Sequence, residues 1–117
     1  MTSNTIYHCD FIPNKYYNLY FRIINNRINN KLNRDVYKEK HHIIPKSLGG
    51  SNDKINIVSV TAREHFILHK LLPKFTIGQS FYKMNAAITF FNSNENRKLV
   101  FTSHDYEVLK LANSFIL

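Results

Sequence analysis

The chain has a single cysteine, Cys9, in 117 residues. That excludes an internal disulfide framework and a cysteine-rich zinc ribbon, so any metal must be held by His, Asp, Glu or Asn. Acidic side chains are also scarce: 8 Asp and Glu stand against 16 Lys and Arg, a formal net charge of +8. The positive residues are spread along the chain rather than gathered in one tail, and a diffuse field of that kind favours polyanions, either nucleic acid or an acidic membrane surface. No apolar run approaches the length needed to cross a bilayer. The start, Met1-Thr-Ser-Asn-Thr-Ile-Tyr-His8, has neither a basic n-region nor a continuous apolar h-region. No membrane association is therefore expected, and an intracellular, reducing compartment, the cytoplasm, fits best. The length suits one small domain and is too short for two well-buried ones, and no repeat, low-complexity tract or linker divides it.

Residues 1–12 read as an irregular lead-in, and Pro13-Asn14 as a helix start, because Asn accepts from the first free backbone N–H groups. From Lys15 to about Leu32, Tyr17, Tyr20, Phe21, Ile24 and Ile28 recur at three- and four-residue intervals, the pattern of an amphipathic helix. Arg22, Arg27 and Lys31 lie off that stripe, either solvated or following a phosphate backbone. Val36 to Ile44 reads as a strand, halted by Pro45, which cannot donate to a ladder. Gly49-Gly50 permits a tight loop, and Ile55 to Val60 alternates as a second strand, giving an antiparallel hairpin. Thr61 and Glu64 have the spacing of a capping box, so a helix should run from about Ala62 to Leu72 and end at Pro73. Gln79 to Phe91 carries Phe81, Met84, Ala87, Ile88 and Phe91 on one side. A polar turn at Asn92–Asn96 and a last helix from Ser103 to about Phe115, with His104 in its first turn, complete an α+β fold that is mainly helical.

Four of the six histidines fall between Glu39 and His69. His65 and His69, four apart on a helix, lie on one face and can turn both imidazoles toward one ion. Adjacent strand residues point to opposite faces, so His41 and His42 do not bind the same ion. One of them can complete a three-histidine site while the other stays beside it, free to move a proton. Three nitrogen ligands with an open fourth position describe a catalytic rather than a structural metal site. An unligated imidazole accepts a proton from water near neutral pH, and in a basic protein the obvious substrate oxygen is that of a phosphodiester. His8 with Cys9 makes a poor chelator, because the two are adjacent.

This stretch resembles the HNH nuclease motif, a ββα-metal fold in which two strands and a helix grip one divalent cation. His41-His42 looks like its first element, Asn56 like its central asparagine, and His65 with His69 like its closing helix. The paired histidines are similar to those of the DNA-cutting colicin toxins. The words His-His-Ile-Ile-Pro, Leu-Gly-Gly, Arg-Glu-His-Phe and Thr102-Ser-x-x-Tyr-Glu107 look like those of phage and intron-associated HNH homing endonucleases. The core of the likeness covers residues 36–73. It implies a single endonuclease domain over residues 1–117, with an N-terminal helix in 1–35, the ββα-metal core in 36–73 and C-terminal helices in 74–117.

Carried over by position, the resemblance makes His41, His65 and His69 the metal ligands and His42 the general base. Asn56 is then the residue that fastens the loop and keeps the base oriented. The reaction implied is hydrolysis of DNA to 5′-phosphate and 3′-hydroxyl ends, in a phage-infected cell or another host of a mobile element. Many relatives have Asp at the His41 position and Asn at that of His69. An all-nitrogen set is softer, which extends the candidate ions from Mg²⁺ to Mn²⁺, Ni²⁺ and Zn²⁺. Arg63, near a helix start, and Lys46, after the first strand, are candidates for phosphate contacts. The competing readings are a binding module in which the ion only braces the fold against nucleic acid, and an HNH toxin.

Overall fold

The computed structural model describes residues 8–93, with side-chain environments as far as Ile88. Helix α1 spans Lys15–Asn29, strand β1 Glu39–His42, strand β2 Ile57–Val60, helix α2 Ala62–Leu71 and helix α3 Gly78–Ser93. The two strands form an antiparallel hairpin in which Glu39 faces Val60 and His41 faces Val58. Alpha helices and this hairpin make a small α+β domain, with the histidine cluster where α2 meets β1. The expected last helix, with Thr102, His104 and Asp105, lies outside the described residues. So does most of the expected polar turn, although Asn92 and Ser93 still belong to α3.

Helix α1 begins where Asn14 accepts from the N–H groups of Tyr16 and Tyr17, each at 2.9 Å. It ends at Asn29 rather than Leu32, because Asn30 leaves helical geometry while its amide donates to the Asn26 carbonyl at 3.0 Å. Its buried face is Tyr20, Ile23 and Ile24, whereas Ile28 is 47% exposed. The row that faces the rest of the domain continues through Arg27, not Ile28. Arg27 is neither solvated nor waiting for phosphate: its Nε and Nη2 each lie 2.9 Å from the Glu64 carboxylate at the start of α2. Glu64 in turn completes the capping box, accepting from the Thr61 N–H at 2.9 Å while its own N–H donates to Thr61 Oγ1 at 3.0 Å. One carboxylate thus closes α2 and ties it to α1.

Both strands are shorter than their apolar patterns. Val36 donates to the Asn33 carbonyl at 3.1 Å in a turn, and Val36 and Tyr37 remain exposed, so β1 starts at Glu39. On the other side a 3-10 turn, Lys54–Asn56, swings Asn56 inward and leaves Ile55 exposed, so β2 starts at Ile57. Pro73 does not stop the chain at once; it lies inside a 3-10 turn, Leu72–Lys74, that follows α2. The described end of the lead-in, residues 8–12, is tied to the turn after α2. Ile12 donates to the Phe75 carbonyl at 2.8 Å and Ile77 to that of Asp10 at 3.1 Å, which places Phe11 in the core. Tyr20, Val60, Phe66, Leu68, Leu72 and Phe75 are wholly buried. Met84 joins them from α3, but Phe81, expected on the same side, is 36% exposed.

The loop from Ile44 to Asn56 is held by close backbone approach at Gly50, where a Cβ would lie 1.7 Å from the Ile44 carbonyl oxygen. Gly50→Ala should therefore force the loop off Ile44 and lower stability by about 1–3 kcal/mol, the usual scale of overpacking. Denaturant unfolding checks this; an unchanged midpoint would show that the loop is not packed as described.

Candidate metal centre

Strand alternation sorts the side chains of β1. Glu39 and His41 point toward α2, and His41 is 1% exposed, whereas its neighbour His42 points to the other face and is half-buried. On α2, His65 and His69 stand one turn apart on the side that meets β1. The ring centre of His41 lies 5.3 Å from that of His65 and 5.2 Å from that of His69, and the latter two are 4.9 Å apart. One nitrogen from each ring falls within 4.8 Å of the other two, and the three can hold a metal ion.

Their surroundings keep two of these rings, His41 and His69, in the form a metal needs. Burial first, and then the neighbouring His69, His65 and His42, hold His41 well below the usual histidine range. Burial and then His65 bring His69 down to about 4. Both are neutral at neutral pH, as a ligating imidazole must be. His65 Nδ1 lies 2.7 Å from Glu39 Oε1, so the carboxylate accepts, and in the neutral ring the lone pair is on Nε2. His41 Nε2 lies 2.7 Å from the Tyr20 hydroxyl, and that hydroxyl donates to the Ile43 carbonyl at 2.7 Å. Among the described residues His41 Nδ1 is buried with no hydrogen-bond partner. Leaving such an atom unsatisfied costs about 1–3 kcal/mol. A soft divalent cation, taken up by an all-nitrogen donor set, removes that cost, so the residues present fit a metal.

His42 does not join the cluster. Its Nε2 lies 2.9 Å from the Asn52 side-chain oxygen, which places the proton on Nε2 and the lone pair on Nδ1. Asn56 is 4% exposed, and all its bonds are to the backbone of the intervening loop. Its Oδ1 accepts from the Ile44 N–H at 2.8 Å, and its Nδ2 donates to the carbonyls of Ile44 at 3.0 Å and Ser51 at 2.9 Å. Arg63 lies exposed in the first turn of α2, two positions before His65, and Lys46 exposed in the 3-10 turn after Pro45.

His8, Cys9 and Asp10 also lie close together. Both nitrogens of His8 are occupied, one accepting from the Asp10 N–H at 3.0 Å and the other donating to the Leu48 carbonyl at 3.0 Å. Asp10 accepts from Ser80 Oγ at 2.6 Å. That group is a bracket between the N-terminal segment, the loop and α3.

Three residues of the site were not singled out from sequence. Glu39 had a signal: it is two positions before His41 on a strand, hence on the same face, and ligating histidines commonly donate to carboxylates. Tyr20 was legible only as one member of an apolar stripe, and Asn52 as one of several loop polar residues.

No family model and no solved structure matches the chain. Among curated proteins, it is 66% identical over 38 residues to "Probable mobile endonuclease E" of Enterobacteria phage T4, a match covering 32% of this chain and 27% of that protein. It is 43% identical over 77 residues to "Probable mobile endonuclease D" of the same phage, covering 63% of this chain and 29% of the relative. With "Probable mobile endonuclease C" the identity is 32% over 97 residues, covering 81% of this chain and 44% of the relative. The chain is thus homologous to phage mobile endonucleases and spans less than half of the length of these relatives.

The depressed histidines fix the pH behaviour of the metal-free protein. Between pH 6.5 and about 4 the unfolded chain takes up protons that folded His69 refuses, so the stability present above 6.5 is lost progressively as pH falls toward 4. For His69 alone the loss is about 3 kcal/mol. Unfolding midpoints measured in chelator at successive pH values check this; equal midpoints at neutral pH and pH 4 would contradict it.

Proposed function

We propose that the chain is a metal-dependent HNH endonuclease of a phage or related mobile element, acting on DNA as one domain over residues 1–117. The observation that carries this reading is the division of labour on β1: His41 is buried with His65 and His69 around an unsatisfied nitrogen, while His42, next in sequence, stays outside that group with a lone pair on Nδ1. The homology to phage mobile endonucleases supports it independently.

In this reading His41, His65 and His69 hold one divalent cation, Mn²⁺, Ni²⁺, Zn²⁺ or Mg²⁺. When bound, the cation supplies positive charge that stabilises a more negative phosphoryl transition state and a departing 3′-oxygen. His42 acts as the general base: Nδ1 removes a proton from the attacking water, while Asn52, accepting from Nε2–H, disperses the positive charge that develops on the ring. Asn56 acts at one remove, since its amide pins Ile44 and Ser51, on either side of the loop, and so sets where Asn52 sits beside His42. In-line attack by water leaves 5′-phosphate and 3′-hydroxyl ends. Arg63 and Lys46, both exposed, engage phosphates without reading sequence.

The alternative is a non-catalytic module in which the ion braces the fold against nucleic acid. His42 separates the two. After chelation, the protein is incubated with supercoiled plasmid and Mg²⁺, Mn²⁺, Ni²⁺ or Zn²⁺ separately, alongside His42→Ala. The nuclease reading expects nicked or linear products from the wild type. It expects a loss of about 100- to 10,000-fold in the variant, with metal content and DNA affinity unchanged. Binding of metal and DNA with no cleavage under any ion would favour the bracing role.

A further inference from the structure

Tyr20 lies on α1, outside the hairpin and helix that carry the histidines, yet its hydroxyl is the partner of a candidate ligand. It is 0% exposed, so no bulk water competes for its bonds. A tyrosine oxygen carries its proton at neutral pH. That one proton has two neighbours at 2.7 Å, the Ile43 carbonyl oxygen and His41 Nε2. A carbonyl oxygen can only accept, and two oxygens at 2.7 Å with no proton between them repel. The hydroxyl proton must therefore lie on the Ile43 side. The only bond then available between Tyr20 and His41 runs the other way, from Nε2–H to the tyrosine oxygen.

From this we infer that Tyr20 is a positioning residue for the metal centre: it selects the Nε2–H tautomer of His41 and so makes Nδ1 the donor atom. The inference rests on the three-histidine metal reading for its consequence, but not for the tautomer itself. The buried, unpartnered state of His41 Nδ1 is the complementary observation, because the tautomer that satisfies Tyr20 leaves a lone pair at that atom. His65 is set oppositely, since Glu39 takes its Nδ1–H and leaves the lone pair on Nε2. The two ligands thus offer different ring nitrogens, each fixed by a partner on another element. Tyr20 also links the geometry of the centre to the seating of α1, because His41 can reach it only while the helix lies on the hairpin.

The test is nitrogen-15 spectroscopy of histidine-labelled, metal-free protein, with zinc and nickel affinities measured by titration for wild type and Tyr20→Phe. The phenyl ring keeps the packing and removes only the hydroxyl. Expected are an Nε2–H tautomer for His41 in the wild type, loss of that single tautomer in the variant, and about 10- to 100-fold weaker metal binding. His41 protonated on Nδ1 in the wild type would overturn the inference, as would a variant with unchanged tautomer and affinity. A variant that fails to fold leaves the wild-type spectrum to decide. A wild type that shows the expected tautomer and binds neither ion removes the metal reading while leaving the Tyr20 bond in place.

Discussion

Burying one imidazole among two others is the constraint on which this small domain turns. A neutral histidine still has a donor and an acceptor to satisfy, and His41 has been taken almost wholly out of water. The donor is met by Tyr20, which needs α1 in place, and the acceptor, Nδ1, is buried without a partner among the described residues, in a ring that lies beside those of His65 and His69. Packing and polar satisfaction therefore pull against each other at one residue. A positive charge among the rings would ease that conflict, and protons are disfavoured there by burial and by the neighbouring histidines. A divalent cation fits that position, and the proposed function places its chemistry at the same atoms.

The rest of the architecture holds that arrangement still. The Arg27 to Glu64 ion pair locks α1 against α2, and Glu64 simultaneously caps α2, so the helix that carries His65 and His69 is fixed at its N-terminal end, beside His65. The antiparallel register seats His41 opposite Val58, with Glu39 one pleat away on the same face. Asn56 and Gly50 close the loop between the strands at the same Ile44 carbonyl, one by a hydrogen bond and one by having no side chain. That loop also delivers Asn52 to His42. Two adjacent histidines thus receive different environments from a two-residue strand period, one dry and clustered, the other half-buried and outside the cluster.

Much of this was legible in residue order because the relevant periods are short. The capping box at Thr61, the four-residue step from His65 to His69 and the alternation at His41-His42 are local geometry, and local geometry is written in spacing. Element ends were less legible, since they depend on competing bonds: Asn30 folds back on Asn26, Asn33 holds Val36 in a turn, and Asn56 is drawn inward before β2 begins. Helix faces were misread where a charged residue had a buried partner. The row on α1 runs through Arg27 and not Ile28, because Glu64, 37 positions later in sequence, waits there. Tyr20 was hidden for a related reason. As a member of an aromatic stripe it reads as packing, and only its hydroxyl contact across the fold reveals a second duty.

The central claim is that His41, His65 and His69 gather one cation while His42 stays unligated beside it. X-ray absorption at the metal edge of zinc- or nickel-loaded protein measures this directly, with His42→Ala as the comparison. Three imidazole nitrogens at about 2.0–2.1 Å, unchanged in number when His42 is removed, are the predicted result. Loss of one nitrogen in that variant, or a shell containing fewer than three imidazoles in the wild type, would contradict the account.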